Sequence, residues 1–242
     1  MILWLTERKT FSHIKGDAKM ALQKRFFYEK KRKAFQRIGP HQSDIISLLV
    51  GILLGESWGE KRLDASRFHL HVSSRNLEYL SWLQTQLAQN GYCSPGKPKL
   101  TRQIGKNGKQ YFSYKIRTYS FSSLTWLYDL FYESCPETLQ FRKRISPTLE
   151  KWLTPQALAV WLMNDGGASG AGIRVAFHCF TKKDVELLQH ILLSKWGLLT
   201  TLHKSGSRWV LCIPKHHCPF FLKIVDPFLH KSMRDKVNRI LP

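Results

Sequence analysis

Leu49-Val50-Gly51-Ile52-Leu53-Leu54-Gly55-Glu56-Ser57 is an apolar run that ends in one carboxylate followed by a small residue. The second half of the chain repeats the pattern in Leu158-Ala159-Val160-Trp161-Leu162-Met163-Asn164-Asp165-Gly166. Apolar runs of this length suit a helix buried on most of its sides, and Ser or Gly just past the acid suits a helix end. Each helix therefore delivers one acid to its C-terminal tip. A carboxylate there adds to the partial negative charge that the helix end already carries. The arrangement calls for a cation, and where two such tips meet the cation has two carboxylates to sit between.

Moving outward from the first run, Arg67-Phe68-His69-Leu70-His71-Val72-Ser73 alternates polar and apolar residues, which predicts a strand with one apolar and one basic face. The spacing of Leu77, Leu80, Trp82, Leu83 and Leu87 predicts a helix over 76–90. Strands are predicted over 97–104 and 109–118, on either side of the turn Gly105-Lys106-Asn107-Gly108, and a helix over 122–133. The second half runs the same way. A strand over 173–180 would point Ile173, Val175, Phe177 and Cys179 inward and Arg174 and His178 outward. A helix over 182–196 has Thr181 as N-cap, a hairpin joins 199–203 to 208–213 through Ser205-Gly206-Ser207, and a last helix starts near Lys215. Two copies of one order, each opened by the same motif, imply an internal duplication with a pseudo-two-fold axis between the motif helices. The two halves are 41–134 and 153–242, and the Arg- and Lys-rich residues 135–152, with Pro136 and Pro147, read as the linker.

At 242 residues and 43% hydrophobic content the chain can bury a substantial core, while a formal charge of +21 points to a polyanion as partner, foremost nucleic acid. No apolar run is long enough to span a bilayer, and the start of the chain lacks the features of a secretory signal. Five scattered cysteines without a CxxC signal neither a disulfide framework nor a ribbon-type zinc site. Cys212 and Cys218, with His216 and His217 between them, read as a strand residue and a turn before a helix rather than as zinc ligands. Residues 1–40 carry eleven Lys or Arg against three acids, and 18–38 read as a basic, partly amphipathic helix ended by Gly39-Pro40. This extension could be a nucleic-acid-binding arm, the remnant of a targeting segment or a leader without a role. The polar strand faces supply the surface for a duplex major groove: Arg67, His69, His71, Lys97, Lys99, Lys109, Lys115, Arg117, Arg174, His178, Lys204 and Arg208.

The two runs, in register over nine positions, resemble the paired motifs of single-chain LAGLIDADG homing endonucleases. Leu153-Thr154-Pro155, Leu158-Ala159, Trp161, Met163 and Asn164-Asp165-Gly166-Gly167 look like the "LTP…LA-W-M-DDGG" form of one subfamily. The resemblance covers about residues 44–240. It implies an α+β fold of two pseudo-symmetric αββαββα-like halves packed through the motif helices, with antiparallel sheets forming a saddle over double-stranded DNA. It maps divalent-metal binding onto Glu56 and Asp165, and a catalytic lysine onto each half. Lys143-Arg144-Ile145-Ser146-Pro147 resembles a "K-x-I/V-P" segment and points to Lys143, with Arg144 as rival, and Met233-Arg234-Asp235-Lys236-Val237 points to Lys236. The ion would be Mg²⁺, which prefers oxygen ligands and keeps several waters, with Mn²⁺ as substitute. The implied activity is metal-dependent, site-specific cleavage of both DNA strands by a monomer, encoded in a mitochondrial or chloroplast intron. The alternative is a maturase-like or regulatory descendant that binds intron RNA or DNA without cutting.

Overall fold

The computed structural model describes residues 32–73, 76–104, 108–135, 140–170, 172–177 and 179–234. Its centre is a pair of helices, α1 (Ser43–Leu53) and α5 (Pro155–Asp165), the two motif runs. Both bury nearly every residue because both are apolar around the whole circumference: Ile45 through Leu53 of α1 and Ala157 through Met163 of α5 are buried. The polar Ser47 is accommodated by accepting from Thr154 Oγ1 at 2.8 Å. Thr154 is also the N-cap of α5, accepting from the Ala157 amide, and Pro155 fills the first turn where an amide would go unused. One side chain thus ties the start of one motif helix to the start of the other.

The helices meet at glycine. A Cβ on Gly51 would lie 2.4 Å from the Ala157 carbonyl oxygen and 2.7 Å from Val160 Cβ, so only a residue without a side chain permits this approach.

Each motif helix is followed by a four-stranded antiparallel sheet. The first holds β1 (Trp58–Arg62), β2 (Ala65–Ser73), β3 (Lys99–Ile104) and β4 (Gln110–Arg117) in the order β1-β2-β4-β3. The second holds β7 (Gly166–Ser169), β8 (Gly172–Phe177), β9 (Thr201–Ser205) and β10 (Arg208–Pro214) in the corresponding order β7-β8-β10-β9. Phe68, Leu70 and Ile116 bury one face of the first sheet; Ile173, Val175, Phe177, Leu211 and Ile213 bury one face of the second. The helices are α2 (Leu77–Gln89) and α3 (Thr125–Phe131) in the first half, and α6 (Lys182–Trp196) and α7 (Cys218–Val225) in the second. The repeated order predicted from sequence is present, and the fold is α+β with antiparallel sheets.

Several details differ from expectation. β1 and β7 carry no strand signature in the sequence, because Gly59, Lys61, Gly166 and Gly167 break any apolar alternation. The helix expected over 122–133 is a 3-10 turn followed by α3, and Tyr132 turns into a strand, β5 (Tyr132–Ser134). β5 pairs with β6 (Phe141–Lys143), and α4 (Leu149–Trp152) follows, so residues 135–152 contain ordered elements with Lys143, Ile145 and Leu149 buried. Cys179 is exposed, since β8 ends at Phe177 and the alternation stops there. Cys212 sits on β10 and Cys218 is buried at the start of α7. Most of the basic helix expected over 18–38 lies outside the described residues, of which Ala34–Gln36 form a 3-10 turn.

Candidate active site and groove

The C-terminal tips of α1 and α5 converge. Glu56 follows the last turn of α1 and is exposed, and Asp165 is the last residue of α5 and half-buried. A Cβ on Gly55 would fall 1.7 Å from Asp165 Oδ2, so the carboxylate of the second motif rests directly on the backbone of the first. Tyr79 of α2 is fully buried nearby, and burial together with the Asp165 charge pushes its hydroxyl well above the ordinary tyrosine range.

Lys143 joins this point from β6. Its Nζ donates to the carbonyls of Gly55 at 2.6 Å and Ser57 at 2.8 Å, on either side of Glu56. It also lies 5.1 Å from the Phe180 ring centre. Burial pushes the amine down to about 8, against the raising influence of Cys179, Asp165 and Glu56. Arg144, its rival in the sequence, points elsewhere, donating to Glu133 Oε2 at 3.4 Å and to the Asp129 carbonyl at 3.1 Å. The strand carrying Lys143 is clamped from the second half: Asp184 accepts from the Ile145 amide at 3.0 Å and from Arg142 at 3.4 Å. Asp184 is also the third residue of the capping box that Thr181 opens at the start of α6. A helix start in one half therefore holds a lysine at the helix tip of the other.

Strand register settles which candidates share the open face. His69 pairs with Arg117, His71 with Lys115, and Lys115 with Lys99, so Arg67, His69, His71, Lys99, Lys115 and Arg117 lie on one face of the first sheet. Lys97 precedes β3 and Lys109 precedes β4, and both are exposed. In the second sheet Cys212 pairs with Arg174, and Arg208 shares that face. Lys204 does not: it pairs with Trp209, which pairs with Phe177, so it is on the core-side face. The physical reason is the turn, where Arg208 pairs with Ser205 and shifts Lys204 by one place in the alternation. His203 and Thr201 occupy the open face instead. His178 and Lys236 lie outside the described residues.

β1 brings Trp58 and Glu60 to the same face, since Trp58 pairs with His69 and Glu60 with Arg67. Trp58 stacks on His69 at 5.0 Å with Lys115 5.5 Å from its ring centre. Glu60 receives Arg67 through Nε at 2.7 Å and Nη2 at 2.8 Å, and also bonds Arg62 and His69. The Arg67 hydrogen bonds chiefly hold its carboxyl down to about 2, despite some burial. His71 sits closer to the acids than a plain groove residue would. Its Nε2 is buried without a hydrogen-bond partner among the described residues, and its pKa is lowered by burial and Lys115 while Glu56 raises it.

No group of three or more His, Cys, Asp or Glu gathers at one point among the described residues. What the helix tips offer is one carboxylate from each motif, hard oxygen donors both within the electrostatic reach of the buried Lys143.

Residues 46–221 match the model of the LAGLIDADG DNA endonuclease family. The chain is 32% identical over 216 residues to the cytochrome b mRNA maturase bI2 of Saccharomyces cerevisiae, which covers 87% of this chain and 51% of that protein. The chain thus spans about half the length of that relative. The protein of the same name from Debaryomyces hansenii is 31% identical over 84% of this chain and 76% of its own length. The intron-encoded endonuclease ai4 of Dictyostelium discoideum is 32% identical over 62% of this chain and 94% of its own length. Among solved structures, the homing endonuclease I-WcaI bound to its DNA recognition sequence shares the fold with a TM-score of 0.69 at 19% identity, over 87% of this chain and 90% of that one. The matched model spans both motif helices and both sheets, and this chain belongs to the LAGLIDADG DNA endonuclease family.

Proposed function

We propose that this chain is a site-specific DNA endonuclease that hydrolyses both strands of a long asymmetric duplex, acting as a monomer and encoded by a mitochondrial or chloroplast intron. The observation that carries the reading is the convergence of the two helix tips, with Asp165 seated on Gly55, the residue before Glu56. Two carboxylates repel, and helix C-termini make the repulsion worse. A fold that brings the two helix tips together has a use for the negative potential. The donor set fits a hard divalent ion: Glu56 and Asp165 would hold Mg²⁺, or Mn²⁺ in its place, with substrate phosphate and water completing the shell. When bound, such ions polarise the phosphate and lower the pKa of a water nucleophile.

The remaining work belongs to the chain. The open faces of the two sheets cradle the duplex, with Arg67, Lys99, Lys115, Arg117, Arg174 and Arg208 donating to phosphates or guanine edges. Lys143, fixed by the Gly55 and Ser57 carbonyls, sets positive charge beside the phosphate where negative charge develops. His71, next to Glu56, is placed to hydrogen-bond water on that side of the site. Lys236 would serve the second half as Lys143 serves the first.

The test is incubation with DNA that carries the intron-less form of the host gene, in Mg²⁺ and then in Ca²⁺ or EDTA. Cleavage at one position in Mg²⁺ alone is expected, with Glu56→Gln and Asp165→Asn each binding the site but not cutting it. Cutting by both variants would remove the two acids from the mechanism. A second reading, an intron RNA maturase that binds without cutting, is favoured by the names of the two bI2 relatives. It predicts tight intron-RNA binding and no DNA cleavage in any metal.

A further inference from the structure

A cavity of about 630 Å³ lies where β4 hands over to the Thr118–Ser120 turn. Its cationic walls come from three separate stretches: Arg32 and Arg37 from the segment before α1, Lys97 and Lys99 just before and at the start of β3, and Lys115 and Arg117 from β4. No Asp or Glu is among the described residues that line it. Arg67 also reaches its wall but is already engaged by Glu60, whereas Lys97, Lys99 and Arg117 have no acidic partner among the described residues. Cations at this density repel one another, and a cavity that gathers them is stabilised by an anion that enters it.

The segment bearing Arg32 and Arg37 is fixed in place rather than draped over the surface. Arg37 is buried, donates through Nη1 to the Ser120 carbonyl at 3.2 Å and lies 4.7 Å from the Tyr119 ring centre. The Arg37 carbonyl accepts from Ser123 Oγ at 2.9 Å, and the Ala34 carbonyl from Ser122 Oγ at 3.4 Å. The third wall of the cavity is therefore preorganised, and its ordering cost is met on folding instead of on binding. Because His69, Lys99 and Lys115 belong both to this cavity and to the open sheet face, the cavity continues the groove.

We propose that this cavity is a phosphate site that seats one backbone phosphate of the DNA flanking the duplex on the first sheet, making the stretch 32–37 part of the nucleic-acid interface. The proposal rests on the DNA-binding reading above and extends it to residues outside the family match. An Arg fork and two lysine ammoniums around one phosphate give charge-assisted bonds that carry no base information, so the site fixes register and not sequence.

The experiment is a set of binding isotherms in Ca²⁺ over a salt series, comparing the intact chain with Lys97→Gln, Arg117→Gln and, as a control of equal charge loss on the exposed surface of α7, Lys223→Gln. Each duplex carries a single neutral methylphosphonate at one position, scanned across the site. In the intact chain one flanking position should weaken binding roughly tenfold, the order expected for a lost charge-assisted bond. In Lys97→Gln and Arg117→Gln that same position should lose most of its effect, and the salt slope should fall by about 0.9 for the lost phosphate. Lys223→Gln should retain the position-specific effect. If the three variants behave alike and no position couples to Lys97 or Arg117, the cavity is merely solvated. Coupling seen on intron RNA alone would overturn the assignment to DNA, and failure of the intact chain to bind any duplex would remove the DNA-binding reading together with this site.

Discussion

Lys143 places a primary amine against two carbonyls and within the field of two carboxylates, almost without access to water. Replacing it by Met keeps the length and apolar stem but leaves the Gly55 and Ser57 carbonyls without their donor, a cost of about 1–3 kcal/mol. Single-turnover cleavage by Lys143→Met should fall by at least about 10²-fold, the scale of one electrostatic group in a preorganised site. DNA binding in Ca²⁺ should change little, and a variant that cuts at the original rate would show that the amine is only structural. The glycines divide in the same spirit. At Gly51 a methyl group collides with main chain, the Ala157 carbonyl at 2.4 Å, which cannot swing away. At Gly55 it collides with the movable carboxylate of Asp165. Gly51→Ala should therefore cost about 1–3 kcal/mol of stability through overpacking strain, seen as a lower Tm. Gly55→Ala should retain more stability and lose cleavage, because the acid is evicted; Gly170→Ala, with nothing within 4 Å, is the control for both measurements.

Among elements, the start of α6 does two tasks at once, closing its own capping box and holding the strand of Lys143 through Asp184. Asp184→Ala should destabilise the protein by about 1–3 kcal/mol, because it leaves the Ile145 and Thr181 amides without their acceptor. It should also slow cleavage more than Thr181→Ala does, since only the aspartate reaches Ile145; equal rates in the two variants would show that the clamp does not matter for the lysine. At the entry to α1, His41 is bonded to Tyr92 OH and Ser123 Oγ, both at 2.8 Å, and burial lowers it from 6.5 to about 4. As pH falls below 6.5 the unfolded chain takes up a proton that the native imidazole refuses until about 4. The stability that this histidine contributes is complete above 6.5 and declines across that window. His41→Gln should flatten the acid side of a plot of Tm against pH. The motif helices, α2 and α6 were legible in sequence because their apolar runs and spacing were clear, with Thr181 as N-cap of α6. β1 was hidden because an edge strand with Gly59 and Lys61 on its second face has no alternation to detect, and Trp58 and Glu60 were hidden with it. The side of Lys204 was illegible for another reason, since it depends on a hairpin register that one residue of turn length reverses. The approach of Lys143 to Gly55, by contrast, joins positions 88 apart in the chain and was reachable only through family resemblance.

For the whole molecule, the charge of +21 makes association with nucleic acid strongly dependent on ionic strength. With several basic residues on both open sheet faces, affinity for a duplex should drop roughly 10³-fold or more between 50 and 200 mM salt. A filter-binding or anisotropy titration across that range measures it, and a flat response would argue that the groove is not where DNA sits. The seating of Asp165 on Gly55 bears on how such a molecule can be rebuilt. Each half is a module with its own sheet, helices and helix-tip acid, which invites exchange of halves between relatives. The contact forbids free exchange: a donor half with any side chain at position 51, or a partner half with a bulkier group at 160, would force the motif helices apart, and a side chain at 55 would evict Asp165, before any base pair is read. Chimeras that carry positions 51, 55, 157, 160 and 165 together as one inherited unit keep the joint, while recombination inside that set breaks it.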